Sequence, residues 1–102
     1  MTDKQKRVYK ITSLIPLGFV LTYKKLAQLS GVKNPRVVGN ILHKNTDPQN
    51  IPCHRVVHSD GSLAKNYAFG GIKKQEEKLE KEGIEFVNGK VKLSKHLWKI
   101  KN

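Results

Sequence analysis

Apolar residues spaced three or four positions apart run through the first part of the chain and predict an α-helix over residues 4–15. The apolar residues at this spacing are Val8, Ile11, Leu14 and Ile15. Pro16 and Gly18 follow directly and end the pattern, because proline disrupts a helix interior and glycine favours turns. The chain is therefore expected to begin with one amphipathic helix.

Two shorter helices are predicted next. Thr22 can cap a helix that ends at Gly31. Asn34-Pro35 is a typical helix start, a capping residue followed by proline at the first helical position, and the third helix covers residues 36–44. Two short helices joined by a few residues form a helix-turn-helix, whose second helix is the one offered to DNA.

The second half of the chain mixes short segments of different types. Residues 51–57 predict a buried extended segment, and residues 62–71 predict a loop. A highly charged helix is expected over residues 72–82, stopped by Gly83, and Asn88-Gly89 between apolar residues predicts a β-hairpin. The expected fold is mainly α with a small β-hairpin, a winged helix-turn-helix-like single domain over residues 1–102.

The charge of the chain narrows the class of partner. Lys and Arg number 20 against 8 Asp and Glu, a formal charge of +12 on 102 residues. Such an imbalance favours a polyanion, nucleic acid first and an anionic membrane surface second, although a lysine-rich surface can also be merely solubilising. Arg36, Gly39 and Lys44 on the third helix, together with Arg55, are the predicted DNA contacts, glycine allowing another backbone to approach closely.

The sequence also limits where the protein is expected to act. No apolar run reaches the roughly 20 residues that span a membrane, and the amino end lacks the apolar core of a signal peptide. The single cysteine cannot form an internal disulfide, and a reactive thiol persists best in a reducing compartment. We therefore expect an intracellular protein that has no membrane association.

That cysteine, Cys53, is the strongest candidate for chemistry. A thiol is nucleophilic as thiolate, and the adjacent His54 and Arg55 offer a proton acceptor and a positive charge that would raise the thiolate fraction. A lone cysteine is otherwise often a buried structural residue. The carboxylate that would orient His54 cannot be chosen from sequence, because five of the eight acidic residues cluster in and just after the charged helix.

Two other chemistries fit less well. The potential metal ligands are Cys53, His43, His54, His58 and His96. Their spacing matches no paired zinc pattern, so no metal is predicted. A cysteine hydrolase would need direct contact between thiol and imidazole, which is awkward for neighbours on a strand, since they point to opposite faces.

The run Pro52-Cys53-His54-Arg55-Val56 resembles the active-site signature of the O6-alkylguanine–DNA alkyltransferases, a family of suicide DNA-repair proteins. The resemblance implies that Cys53 accepts an alkyl group from O6 of a guanine flipped out of double-stranded DNA. It implies that His54 acts through a water as the base, and that Glu82, in a Glu-Gly pair, completes the relay. It implies no cofactor.

The resemblance extends along most of the chain. It assigns Tyr23 as proton donor to the flipped guanine, Arg36 as the finger that fills the vacated space, and Asn45 as the brace of the active-site loop. The residues that it assigns to the guanine pocket are Val56, Tyr67, Gly70 and Gly71. The expected partner is DNA containing O6-alkylguanine, bound by a monomer.

The chain departs from the family pattern in three ways. The amino-terminal domain of larger members is missing, the pocket loop is roughly two residues longer, and Ala68 or Phe69 replaces a family serine. Two alternatives stay open beside the alkyltransferase. One is a non-catalytic alkyltransferase-like lesion binder, a class that usually carries another residue in place of Cys53. The other is a winged-helix regulator with an incidental cysteine.

Overall fold

The computed structural model describes residues 1–65 and 67–100. Asn66, inside the predicted pocket loop, and the last two residues of the predicted domain lie outside the described residues. The first helix, α1, spans Asp3–Leu14 and begins at a capping box, in which the side chains and backbone of Thr2 and Gln5 bond reciprocally. This confirms the predicted helix within one residue at each end.

The helix-turn-helix is confirmed. Helix α2 spans Tyr23–Ser30, with the Thr22 hydroxyl accepting from the Lys25 backbone and Gly31 in the left-handed region at the carboxyl end. Helix α3 spans Pro35–His43, and the Asn34 side chain caps it. The Tyr9 hydroxyl donates to the Ile41 carbonyl at 2.7 Å, which ties α1 to α3.

The segment predicted as extended is mostly a turn. Cys53–Arg55 forms a single 3₁₀ turn, followed by strand β2, Val56–Val57. The Cys53 amide donates to the Ile51 carbonyl and the Arg55 amide to the Pro52 carbonyl, so local hydrogen bonds close the chain on itself where apolar composition favoured a strand. Strand β2 pairs in parallel with β1, Leu21–Thr22, a pairing that the sequence pattern did not predict.

The charged helix and the hairpin are also confirmed. Helix α4 spans Gly71–Lys81, and strands β3, Phe86–Val87, and β4, Lys90–Val91, pair antiparallel. Asn88 and Gly89 both have positive φ, 53° and 78°, as the predicted two-residue turn requires. A short helix, α5, Leu93–His96, was missed by the sequence analysis.

A close backbone approach joins the hairpin to the turn after β2. The Val91 amide donates to the Gly61 carbonyl at 2.9 Å. Gly61 has φ +88°, and a Cβ there would lie 2.6 Å from the Val91 carbonyl oxygen, so only glycine fits.

Two hydrophobic clusters meet along β2. The first gathers α1, α2 and α3 and includes Cys53 and Val56. The second joins α4 to the hairpin and includes Val57. Successive residues of a strand face opposite sides, which places one valine in each cluster. This arrangement confirms the predicted fold class; in the described part of the chain, no helix is long and apolar enough to cross a membrane.

Candidate active site

The thiol lies at the bottom of a buried turn, residues 52–57, which we call the catalytic turn. Cys53 is only 4% exposed and packs in the first cluster. Asn45, also buried, donates from Nδ2 to the Ile51 carbonyl at 2.8 Å, and its Oδ1 accepts from the Asp47 amide. Asn45 therefore braces the turn directly before the cysteine, where the sequence analysis placed it.

His54 and Glu82 are brought together from 28 positions apart. His54 Nε2 lies 2.8 Å from Glu82 Oε2, and both side chains are largely buried. Glu82 stands at the carboxyl end of α4, one residue after Lys81, and Gly83 lets the chain turn away. Of the eight acidic residues, the structure thus places the predicted one against the histidine.

Arg55 fixes the same carboxylate from the other side. Its Nε donates to Glu82 Oε1 at 2.9 Å and its NH2 to Oε2 at 2.8 Å, while NH1 donates to the Ile15 carbonyl. The guanidinium is therefore used inside the protein and is only 14% exposed. The sequence analysis predicted a DNA contact for Arg55, whereas here its bidentate fork is already bonded to a carboxylate inside the protein.

The ionised Glu82 carboxylate determines which ring nitrogen of His54 carries a hydrogen. Burial alone would raise the pKa of Glu82, but hydrogen bonds from His54 and Arg55 and their charges lower that pKa to about 2. An ionised carboxylate only accepts, so His54 must carry a proton on Nε2. Nδ1 of His54 is buried and has no partner among the described residues. It is the nitrogen that can accept a proton.

The pKa of the thiol is raised, not lowered. Burial of Cys53 is the dominant cause, opposed by the Asn45 hydrogen bond, the charge of Lys78 and the backbone amide of Cys53. The expectation that Arg55 supplies a stabilising charge is wrong, because Glu82 neutralises its guanidinium. The site therefore holds a protonated thiol, and the next residue is a histidine whose Nδ1 has no partner among the described residues.

Tyr23 stands at the start of α2, half-buried against the first cluster. Its burial, followed by the charge of Cys53, raises its pKa to about 12, so the phenol keeps its proton and can donate it. The exposed His58 lies beside it, with ring centroids 5.1 Å apart. The sequence analysis named His58 only as a metal ligand and missed this contact.

The predicted guanine-pocket loop packs next to the catalytic turn. Tyr67 is buried in the same cluster as Cys53, and its ring meets Phe69 edge-on at 5.8 Å between centroids. Gly70 and Gly71 both have positive φ where the loop enters α4. The Tyr67 hydroxyl accepts from Lys78 Nζ at 2.7 Å, a contact that the sequence did not signal.

Gln75 links the loop to the catalytic turn and was also missed. It is completely buried on α4, where it donates from Nε2 to the carbonyls of His54 and Val56 and accepts from the Ala64 amide. Its spacing from Leu79 puts it on the apolar face of the helix, and a glutamine there is a signal that sequence reasoning could have used. The Val56 carbonyl, which is predicted to contact the guanine, therefore already accepts one hydrogen bond from Gln75.

A broad groove opens beside Tyr23 and along α3. Its volume is about 1150 Å³, and Tyr23, Arg36, Gly39, His58 and Lys65 are among the residues that line it. Arg36 and Lys44 are exposed at the two ends of α3. A Cβ on Gly39 would touch only the Tyr23 ring, at 4.0 Å, so no close contact within the protein demands glycine there.

The candidate metal ligands are spread over the molecule. His96 is buried away from the thiol, donating from Nδ1 to the Gly18 carbonyl and accepting at Nε2 from the Glu85 amide. Within residues 1–65 and 67–100, no group of three ligating side chains is found that could hold a metal ion.

Comparison with known proteins places these residues in a family context. Residues 3–84 match the model of the 6-O-methylguanine DNA methyltransferase, DNA binding domain. The chain is 40% identical over 95 residues to a bifunctional methyltransferase/endonuclease of Picrophilus torridus, and 43% identical over 83 residues to a methylated-DNA–protein-cysteine methyltransferase of Methanothermobacter thermautotrophicus. It covers 31% and 46% of their lengths, while 92% and 81% of the chain itself is matched. The chain thus spans less than half of either relative.

A solved structure covers almost the entire chain. The crystal structure of Schizosaccharomyces pombe Atl1 in complex with damaged DNA containing O6-carboxymethylguanine superposes with a TM-score of 0.86 at 30% identity. The match covers 98% of each chain. The described fold therefore corresponds to one that is seen on DNA in a relative of matching length.

Proposed function

Because the chain belongs to the 6-O-methylguanine DNA methyltransferase family, we propose that it repairs double-stranded DNA by transferring an alkyl group from O6 of guanine to its own Cys53. The observation that carries this proposal is the buried thiol beside a histidine that a carboxylate and an arginine hold in one tautomer. A thioether does not revert, so each molecule acts once.

The first step is removal of the thiol proton. Nδ1 of His54 is the free acceptor, and it takes the proton of Cys53 through a bridging water. The imidazolium that forms is stabilised by Glu82, which is already ionised and within 2.8 Å of Nε2. Because burial favours the neutral thiol, deprotonation accompanies the approach of the substrate and does not precede it.

The second step is an in-line displacement at carbon. The sulfur of Cys53 forms a bond to the alkyl carbon, the bond between that carbon and O6 breaks, and the electron pair passes to guanine. Tyr23 donates a proton to the purine, and the imidazolium formed in the first step returns its proton so that Tyr23 ends neutral. General acid assistance of this kind contributes about 10²–10⁴-fold, more than a modest change in thiolate fraction.

The guanine must leave the helix stack to reach the buried sulfur. Helix α3 is the element we assign to DNA, with Arg36 taking the place of the extruded base and Lys44 and the backbone at Gly39 near the sugar-phosphate chain. The exposure of both cations and the net charge of +12 support this assignment. We propose that the pocket is formed by Val56, Tyr67, Gly70 and Gly71.

The remaining features of the proposal follow from the chemistry. The displacement needs no cofactor and no metal, since base, nucleophile and acid are all side chains. A single copy contains all of them, so the protein is proposed to act as a monomer. A reducing compartment inside the cell keeps the thiol competent.

Intact-protein mass spectrometry after mixing with an oligonucleotide that contains O6-methylguanine tests the proposal. The wild-type protein should gain one methyl group, mapped to Cys53, and should stop after one turnover. The Cys53→Ser variant should gain none while binding the same duplex equally well. An unmodified wild-type mass after long incubation with excess lesion DNA would reject the transferase and favour the lesion-binding alternative.

A further inference from the structure

Lys78 is a cation that the proposed mechanism does not use, placed behind the pocket loop. It projects from the middle of α4, half-buried, and its ammonium donates to the Tyr67 hydroxyl at 2.7 Å. The same ammonium lies 5.3 Å from the centroid of the Tyr67 ring and 5.4 Å from that of Phe69. Lys78 thus lies against two aromatic side chains of the loop before α4, of which Tyr67 belongs to the proposed guanine pocket.

The charge of Lys78 is not cancelled nearby. Among the residues that the structure describes, no carboxylate forms an ion pair with it. Its hydroxyl partner stays neutral, because burial first, and then the charges of Cys53 and Glu82, raise the pKa of Tyr67. An ammonium has three donors, and Tyr67 uses one.

This charge acts at the sulfur of Cys53. Lys78 is one of the groups that lower the pKa of the buried thiol, and Tyr67 packs in the same cluster as Cys53. A reacting carbon must come within about 3–3.5 Å of its nucleophile. A substituent one bond beyond that carbon therefore occupies nearly the same field as the sulfur itself.

We propose that Lys78 is a specificity-determining residue that lets the site accept alkyl groups ending in a carboxylate, of which carboxymethyl is the smallest. Such a group brings a negative charge next to the developing thiolate, and the two repel. The positive charge of Lys78 offsets that repulsion. Transfer of a neutral methyl group brings in no second negative charge and is accelerated less by Lys78. The DNA substrate named in this inference rests on the proposed function. The effect of the Lys78 charge on reactions at Cys53 does not depend on it.

A DNA-free assay tests the electrostatics alone. Iodoacetate and iodoacetamide both alkylate a thiol by displacement of iodide, with the sulfur–carbon bond forming and the proton lost to buffer. Iodoacetate delivers the carboxymethyl group, and iodoacetamide a neutral group of equal size. Since Cys53 is the only cysteine, mass spectrometry reports the rate ratio of the two reagents at this site.

Lys78→Met should lower the iodoacetate-to-iodoacetamide rate ratio by about tenfold, the effect of one unit charge about 12 Å away at an effective dielectric near 20. Lys78→Arg should keep the ratio, because it keeps the charge. Lys81→Met is the matched control, since it removes an exposed lysine from the same helix, and its ratio should equal that of the wild type. An equal ratio in wild type and Lys78→Met overturns the inference.

The same variants are then compared on duplexes that contain O6-carboxymethylguanine or O6-methylguanine. Lys78→Met should slow carboxymethyl transfer about tenfold more than methyl transfer. If the wild type transfers neither group but the reagent ratio shifts as expected, the proposed repair function fails and the role of Lys78 stands. If both groups are transferred and Lys78→Met leaves their rate ratio unchanged, the repair function stands and the role of Lys78 fails.

Discussion

The catalytic turn and the pocket loop, residues 62–70, lie side by side but are held in different ways. The turn is fastened from four separate parts of the chain, by Asn45, the Ile15 carbonyl, Glu82 and the β1 strand. The loop is attached to α4 through Gln75 and Lys78. The difference indicates that long-range contacts fix the nucleophile and the adjacent histidine, while the side chains that join the loop to the rest of the fold come from a single helix, where Gln75 also bonds to the turn.

The largest expected effect comes from loosening the turn at Glu82. Glu82→Gln keeps the shape but removes the charge that holds His54 as a base, so transfer from O6-methylguanine DNA should slow by about 10²–10⁴-fold. Single-turnover kinetics measure this. Glu80→Gln, an exposed change on the same helix, should leave the rate within about twofold, and comparable slowing in both variants would remove Glu82 from the relay.

Acid should unfold the protein partly through the same carboxylate. The pKa of Glu82 is about 2 in the folded protein, below its ordinary 4.5. A depressed pKa contributes stability that is present above about 4.5 and lost as the pH falls towards 2, here about 3 kcal/mol. Chemical denaturation across that window should show the loss in the wild type. A slope of equal size in Glu82→Gln would assign the loss to other groups.

Alkylation itself should strain the turn. Cys53 is 4% exposed, and an added methyl in a close-packed site costs about 1–3 kcal/mol. The methylated protein should therefore melt several degrees below the free protein in calorimetry. An unchanged or higher melting temperature after confirmed methylation would mean that the catalytic turn has room for the added methyl group and is not close-packed around the sulfur.

The smallest expected effect separates DNA handling from chemistry. Arg36→Ala should slow transfer from duplex DNA about tenfold, because no side chain then fills the space that the extruded base leaves in the stack. The same change should not affect attack on the free methylated base. Tyr23→Phe should slow both reactions, since it removes the proton donor. Equal effects of Arg36→Ala on the two substrates would contradict base flipping.

Helix boundaries could be predicted to within one or two residues because their signals are local. Thr22, Asn34-Pro35 and Gly31 each act within a few positions of themselves. The 3₁₀ turn at Cys53 was mistaken for a strand, since its apolar neighbours suit either state and the deciding partners are far away. The Glu82 partner of His54 came from the family resemblance and not from spacing.

What the sequence could not show are contacts across the fold. Lys78 resembles the other lysines of a charged helix until the loop places Tyr67 against it. From sequence alone, Arg55 is a plausible DNA contact. In the folded chain its guanidinium donates to Glu82 and to the Ile15 carbonyl. The β1–β2 pairing joins two strands of two residues each, and a strand this short has no alternating pattern from which it could be predicted.

The bridge between Val20, the residue before β1, and Leu97 has a consequence for biosynthesis. Val20 forms a bridge with Leu97, and the Val20 amide donates to His96 while its carbonyl accepts from Trp98. The residue that leads into β1, the strand paired with β2 behind the catalytic turn, therefore completes its backbone bonds only when residues near position 98 leave the ribosome. A nascent chain shorter than this has its cysteine but lacks the finished support for it.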